Sequence, residues 1–120
     1  MAVNESFLES LRDLLAFVPE LRSRRMFGGA GLYTGERMFA VADDDVLYLK
    51  VDDQTRARFE QAGSGPFVYG EKDGEPLVMH GYWRAPESVW DDEDEARAWT
   101  RLAIDAALRA KAPKPKKKRP

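Results

Sequence analysis

Between Gly31 and Asp52 the chain reads GLYTGERMFAVADDDVLYLKVD, and the period of its apolar residues decides the fold. In Arg37–Ala42, Phe39 and Val41 point one way while Met38, Ala40 and Ala42 point the other. In Val46–Val51, Leu47, Leu49 and Val51 alternate with Val46, Tyr48 and Lys50. A period of two is the pattern of strands, whose successive side chains leave opposite faces. Gly35-Glu36 and Asp43-Asp44-Asp45 sit where turns belong. The stretch is therefore expected to form an antiparallel meander with strands at Gly31–Thr34, Arg37–Ala42 and Val46–Val51. Both faces of the second and third strands are rather apolar. A sheet wet on one face alternates more cleanly, so the second face is expected to be partly covered, by a loop or by another subunit.

Upstream, the period changes to that of a helix. Phe7, Leu8, Leu11, Leu14, Leu15 and Val18 form one stripe over Asn4–Val18, with Asn4, or Ser6 with Glu9, to cap its start and Pro19 to stop it. Glu20–Arg25 reads as a polar connector. Downstream, Asp52 or Asp53 caps a short helix through Ala62, and Gly63 with Gly65-Pro66 ends it. Pro66–Gly70 and Leu77–Tyr82 read as two more strands around Asp73-Gly74. A last helix opens in the acidic run Asp91–Glu95, which suits the positive end of the helix dipole. It buries Ala96, Trp99, Leu102, Ala103, Ala106, Ala107 and Ala110. The predicted order is αβββαββα: an α+β fold of two layers, a mainly antiparallel five-stranded sheet with both terminal helices on one side.

The 120 residues suggest one domain with an ordinary apolar content of 43%. The chain has no cysteine, which excludes disulfides, thiolate metal sites and cysteine nucleophiles and favours a reducing, cytoplasmic setting. The N-terminus reads as neither a signal peptide nor a membrane span. The formal net charge of −2 conceals a split. Lys111, Lys114, Lys116, Lys117, Lys118 and Arg119 all fall in the last ten positions. Removing those six from the 19 basic residues leaves 13 against 21 acids, so residues 1–110 carry about −8. The chain thus divides into an acidic domain, 1–110, and a Lys/Pro-rich basic tail, 111–120, expected to be disordered. Such a tail attracts nucleic acid weakly, without sequence preference and in a salt-sensitive way; it serves equally as a solubilising extension.

The candidate sites are few. RRMFGGAGLY, Arg24–Tyr33, matches neither a Walker loop, which needs a following lysine and serine or threonine, nor the GxGxxG of a dinucleotide loop, which must also open a helix, whereas this stretch opens a strand. Its glycines read as a bend leading into the sheet, with Met26 and Phe27 anchored inward. Arg22, Arg24 and Arg25 are the densest basic cluster of the body. They can bind an acidic partner surface or phosphate, or pair with the protein's own acids. His80, the only histidine, has no serine or aspartate in a recognisable relation to it, and reads as structural on a face with Val78 and Tyr82. An enzymatic reading would need a polar pocket around His80 or the Arg24–Arg25 bend. Asp43-Asp44-Asp45 lacks the glycine and distal glutamate of a calcium loop and reads as a solvated turn. Asp91–Glu95 reads as a helix start, with an acidic docking patch as the alternative. Tyr33, Phe67, Tyr69, Tyr82 and Trp83 gather on strands and read as core or as a protein interface, since a base-stacking platform usually interleaves them with basic residues.

MFGGAGLYTGERMFAVADDDVLYLKVD, Met26–Asp52, resembles the N-terminal domain of the TfoX/Sxy family. TRARFEQAGSGPFVYG, Thr55–Gly70, is similar to that family's short helix and following strand, and YWRAPESVWDDEDEARAWTRLAIDAA, Tyr82–Ala107, to its strand exit and long helix. The resemblance implies a small two-layer α/β sandwich in a bacterial cytosolic regulator tied to DNA uptake and natural competence, with no catalytic motif. Longer members carry a second, C-terminal helical domain, in whose place this chain has the lysine tail. The expected function is a non-enzymatic regulatory or adaptor domain that binds a protein partner, a second copy of itself included, through Arg22, Arg24 and Arg25. No cofactor, metal or membrane is expected. The alternative is nucleic-acid binding through the tail, helped by the same three arginines.

Overall fold

A computed structural model describes residues 4–26 and 28–110. The inward anchor expected of Phe27 and the basic tail from Lys111 onward lie outside the described residues. Helix α1 spans Glu5–Leu14. Strands β1 (Leu21–Met26), β2 (Gly29–Thr34), β3 (Arg37–Asp43) and β4 (Val46–Lys50) follow in succession. After α2 (Arg56–Gln61) come β5 (Pro66–Lys72) and β6 (Glu75–Arg84), then a single turn α3 (Ser88–Asp91) and the long α4 (Glu93–Arg109). The sheet has six strands in the order β1-β2-β3-β4-β6-β5, and every adjacent pair is antiparallel.

The five-stranded expectation is corrected by β1. The supposed polar connector pairs with β2 along its whole length, from Leu21↔Thr34 to Met26↔Gly29. Its four central residues are exposed, so no apolar alternation marks it. Charged side chains along an edge strand also discourage pairing with other chains. The glycine run is the hairpin turn between β1 and β2: Gly28 has φ +80°, a conformation that glycine adopts without strain.

A second correction concerns β3. Its register with β2 passes from Leu32↔Ala40 to Tyr33↔Met38, which leaves Phe39 without a partner. This bulge places two successive residues on one side. Phe39 therefore joins Ala40 and Ala42 in the main core, while Met38 changes sides and joins Val41. Strict alternation had put Phe39 with Val41.

The helices sit where their caps and stripes put them. Asn4 Oδ1 accepts from Phe7 N at 2.7 Å to start α1, and Leu8, Leu11 and Leu15 are buried. Asp92 Oδ1 accepts from Asp94 N at 2.8 Å and Glu95 N at 3.3 Å to start α4. These helices share one core with Ala30, Leu32, Leu47, Leu49 and Trp83 of the sheet. The far end of α4 is tied down twice. Arg37 Nη1 donates to the carbonyls of Ala107 (2.8 Å), Leu108 (3.3 Å) and Ala110 (3.1 Å), which have no partners within the helix. Arg109 grips Asp52 with two bonds, Nε to Oδ2 at 2.8 Å and Nη2 to Oδ1 at 3.0 Å. These bonds and the bidentate geometry hold the Asp52 carboxyl below its usual pKa.

A smaller core lies apart from the helices. Val41, Phe67 and Tyr82 are buried together, with Met38, Tyr48 and Met79 packed against them. All six come from strands. The expected partial cover of this face is supplied by the sheet itself: Phe67 of β5 reaches the ring of Tyr48 on β4, with centroids 4.3 Å apart.

Candidate functional site

The strand register sorts the arginine cluster. Residues paired across antiparallel strands share a face. Arg24 pairs with Gly31, Gly31 with Val41, Val41 with Tyr48 and Tyr48 with Arg84, so Arg24 and Arg84 stand at the two ends of one row on the helix-free face. Arg22 pairs with Tyr33 and Tyr33 with Met38, forming the next row. Arg25 pairs with Ala30 and looks the other way, toward α1, where it forms an ion pair with Glu5. The three candidate arginines are therefore split. Arg22 and Arg24 are together, and Arg22 Nη1 donates to Gly35 O at 3.3 Å. Arg24 is exposed and has no ion pair among the described residues. Both border a shallow hollow with Tyr33 and Glu36.

Beside them the helix-free face holds a groove of about 310 Å³. Met26, Gly29, Met38 and Val41 line one part of it, and Phe67, Tyr69 and Met79 another. The glycines are required by close approach. A Cβ on Gly31 would stand 2.7 Å from Met38 Sδ and 3.2 Å from Met26 Cε; one on Gly29 would stand 2.4 Å from Ala42 O. The run GGAG thus makes a turn and also lets the β3 backbone and two methionine side chains pack closely against β2. Tyr69 lies on the rim and is 52% exposed.

One polar group faces this groove. Asp43, at the end of β3, lines it, and its Oδ1 is buried without a hydrogen-bond partner among the described residues. Burial pushes its carboxyl above the usual pKa, because removing water disfavours the charged form. The expected solvated turn therefore holds only for Asp44 and Asp45, which are exposed at φ +51° and +61°. Asp43 was missed because it was read with the turn. Continuing the alternation from Val41 puts it on the groove side.

Tyr82 packs with Val41 and Phe67 in the smaller core. It is buried, its hydroxyl donates to Met38 O at 3.4 Å, and burial pushes its phenol up to about 12. Lys50 Nζ lies 5.0 Å above its ring. His80 does not share its setting. Between Met79↔Phe67 and Trp83↔Pro66, residues 80–82 have no partner on β5. This irregularity breaks the alternation, so the imidazole is exposed while Tyr82 is buried. The structural contribution of His80 is its carbonyl, which accepts from Trp83 Nε1 at 2.9 Å. Among the described residues no group of three or more His, Asp or Glu is placed to hold a metal, and no helix is long and apolar enough to cross a membrane.

Comparison with known proteins adds to this geometry. A family model described as the TfoX N-terminal domain matches residues 13–107, a span that includes all six strands and the whole groove. Protein Sxy of Escherichia coli strain K12 is 26% identical over 101 residues, covering 84% of this chain and 47% of Sxy. DNA transformation protein TfoX1 of Aliivibrio fischeri is 33% identical over 70 residues, covering 58% of this chain and 32% of that protein. The chain spans less than half the length of these curated relatives.

Proposed function

Since this chain belongs to the TfoX N-terminal domain family, we propose that it is a non-enzymatic regulatory domain, linked to competence and DNA transformation, that acts by binding a partner protein. The link to transformation rests on the name of one relative. The binding mode rests on one observation: the sheet face left free by the helices keeps an open, methionine-lined groove. Flexible thioethers are common on surfaces that accept partners. Arg22 and Arg24 border this face and supply charge for the rim, where it contributes more to encounter and selectivity than to affinity. Arg25, held by Glu5, is assigned to the fold. The absence of cysteine supports a cytoplasmic setting. Crosslinking pull-down from the native host, with sedimentation of the purified protein, tests the proposal. Capture of a partner or self-association is the expected result. A strict monomer that captures nothing would overturn it.

The charge split supports a second reading. Six cations fall in residues 111–120, against an acidic body, and they suit a nucleic-acid phosphate backbone. Log affinity should then fall by roughly 0.9 per phosphate neutralised for each tenfold rise in salt. Deleting Lys111–Pro120 should abolish a low-salt mobility shift. If full-length protein gives no shift at low salt, this reading fails.

A further inference from the structure

We propose that the groove on the helix-free face receives the side chain of a lysine or arginine from the partner protein. Its aliphatic stem would lie against Met26, Met38 and Val41, and its charged head would meet Asp43. The inference rests on the reading of the chain as a partner-binding domain and names the chemistry of the occupant.

The groove's shape and lining suit a long unbranched chain. Gly29 lines the groove without a side chain, and the methionines beside it can adjust to the chain they receive. Lysine and arginine bury such stems against apolar surface while the head seeks a polar partner. The exposed Tyr69 on the rim, 6.0 Å from the buried ring of Phe67, offers a face that attracts a cation.

Asp43 decides between occupants. Its buried Oδ1 accepts no hydrogen bond among the described residues, and a buried acceptor without a donor is costly. A purely apolar side chain would fill the groove and leave that oxygen unpaired. A phosphate or carboxylate would meet a like charge. A cationic head satisfies it. The protein's own Arg24 is not placed to do so. It faces Gly31, whereas the β1 residue nearest the Asp43 end is the apolar Met26, which pairs with Gly29 beside Asp43.

The test uses three of the four methionines, Met26, Met38 and Met79, which line the groove. Protein carrying ¹³C-methyl methionine is titrated with acetyl-Ala-X-Ala-amide peptides in which X is arginine, lysine, norleucine or glutamate, and with a thymidine dinucleotide. Norleucine keeps the stem of lysine and lacks its charge. The arginine and lysine peptides should shift the methyl signals of Met26, Met38 and Met79. The norleucine peptide should bind at least about tenfold more weakly, and Asp43→Asn should erase that difference. Equal binding of norleucine and lysine would overturn the proposal, a comparison that needs no variant. So would a preference that survives Asp43→Asn, a response to glutamate or the dinucleotide alone, or no response at all. A native partner retained by Asp43→Asn would also sink this inference while leaving the partner-binding reading intact.

Discussion

Gly29 and Gly31 both face away from the helices on β2, yet their substitution should have different consequences. An added methyl at Gly29 meets a backbone carbonyl, Ala42 O, at 2.4 Å, and neither side can yield without disturbing the β2–β3 pairing. At Gly31 the nearest atoms are the ends of two methionine side chains, which can swing aside. Gly29→Ala should therefore cost about 1–3 kcal/mol through overpacking. Gly31→Ala should stay within about 1 kcal/mol of wild type, since reduced freedom of the unfolded chain offsets the displacement. Urea unfolding of the two variants reads the contrast. Tyr82 supports a second prediction. Its phenol holds its proton up to about 12 in the fold, while in the unfolded chain it ionises near 10. Between those values the folded state binds more protons, so stability falls as pH rises through the window and levels off above it. The loss is about 3 kcal/mol at most. Absorbance titration should show Tyr82 ionising last of the four tyrosines, after Tyr48, which burial also raises. Tyr82→Phe should remove that step and flatten the alkaline loss of stability.

At the scale of elements, legibility followed the apolar signal. Helix α1 was readable because its stripe is clean and Asn4 caps it. Helix α4 was readable from its alanine face and acidic start. The meander was readable because β3 and β4 are buried strands rich in apolar residues. Strand β1 was not: LRSRRM has no alternation to detect, and its pairing depends on a neighbour rather than on its own composition. The single turn α3 is too short to set up a period. The bulge at Phe39 changed the face of one core residue and one groove residue, and bulges carry no reliable mark in a single strand. The groove was therefore the least legible feature. Met38 needed the bulge to reach it, and Phe67 needed β5 to be paired with β6, within reach of Tyr48 on β4. The C-terminal clamp on α4 was equally hidden, because Arg37 and Ala107 are 70 residues apart. It carries a prediction. Arg37→Ala releases three carbonyls at the negative end of the helix dipole and should cost about 1–2 kcal/mol. Hydrogen exchange should accelerate in the last turn of α4 and remain unchanged in α1. Uniform loss of protection in both helices would contradict the local assignment.

For the whole molecule, the two sides of the sheet differ: one shares the main core with the helices, and the other carries the groove. The helices and their stripes are used up in the main core. The opposite face retains the groove, Arg22, Arg24 and a carboxylate oxygen without a partner among the described residues. Two exposed apolar side chains allow the sides to be compared: Tyr69, 52% exposed on the groove rim, and Leu108, 58% exposed on α4. Neither is part of a buried core, so a glutamate at either position should leave the fold intact. The decisive measurement is quantitative crosslinking capture from the native host by wild type, Tyr69→Glu and Leu108→Glu. If the helix-free face is the working surface, the protein captured by wild type is lost with Tyr69→Glu and retained with Leu108→Glu. Capture that survives Tyr69→Glu, or that disappears only with Leu108→Glu, would contradict the account.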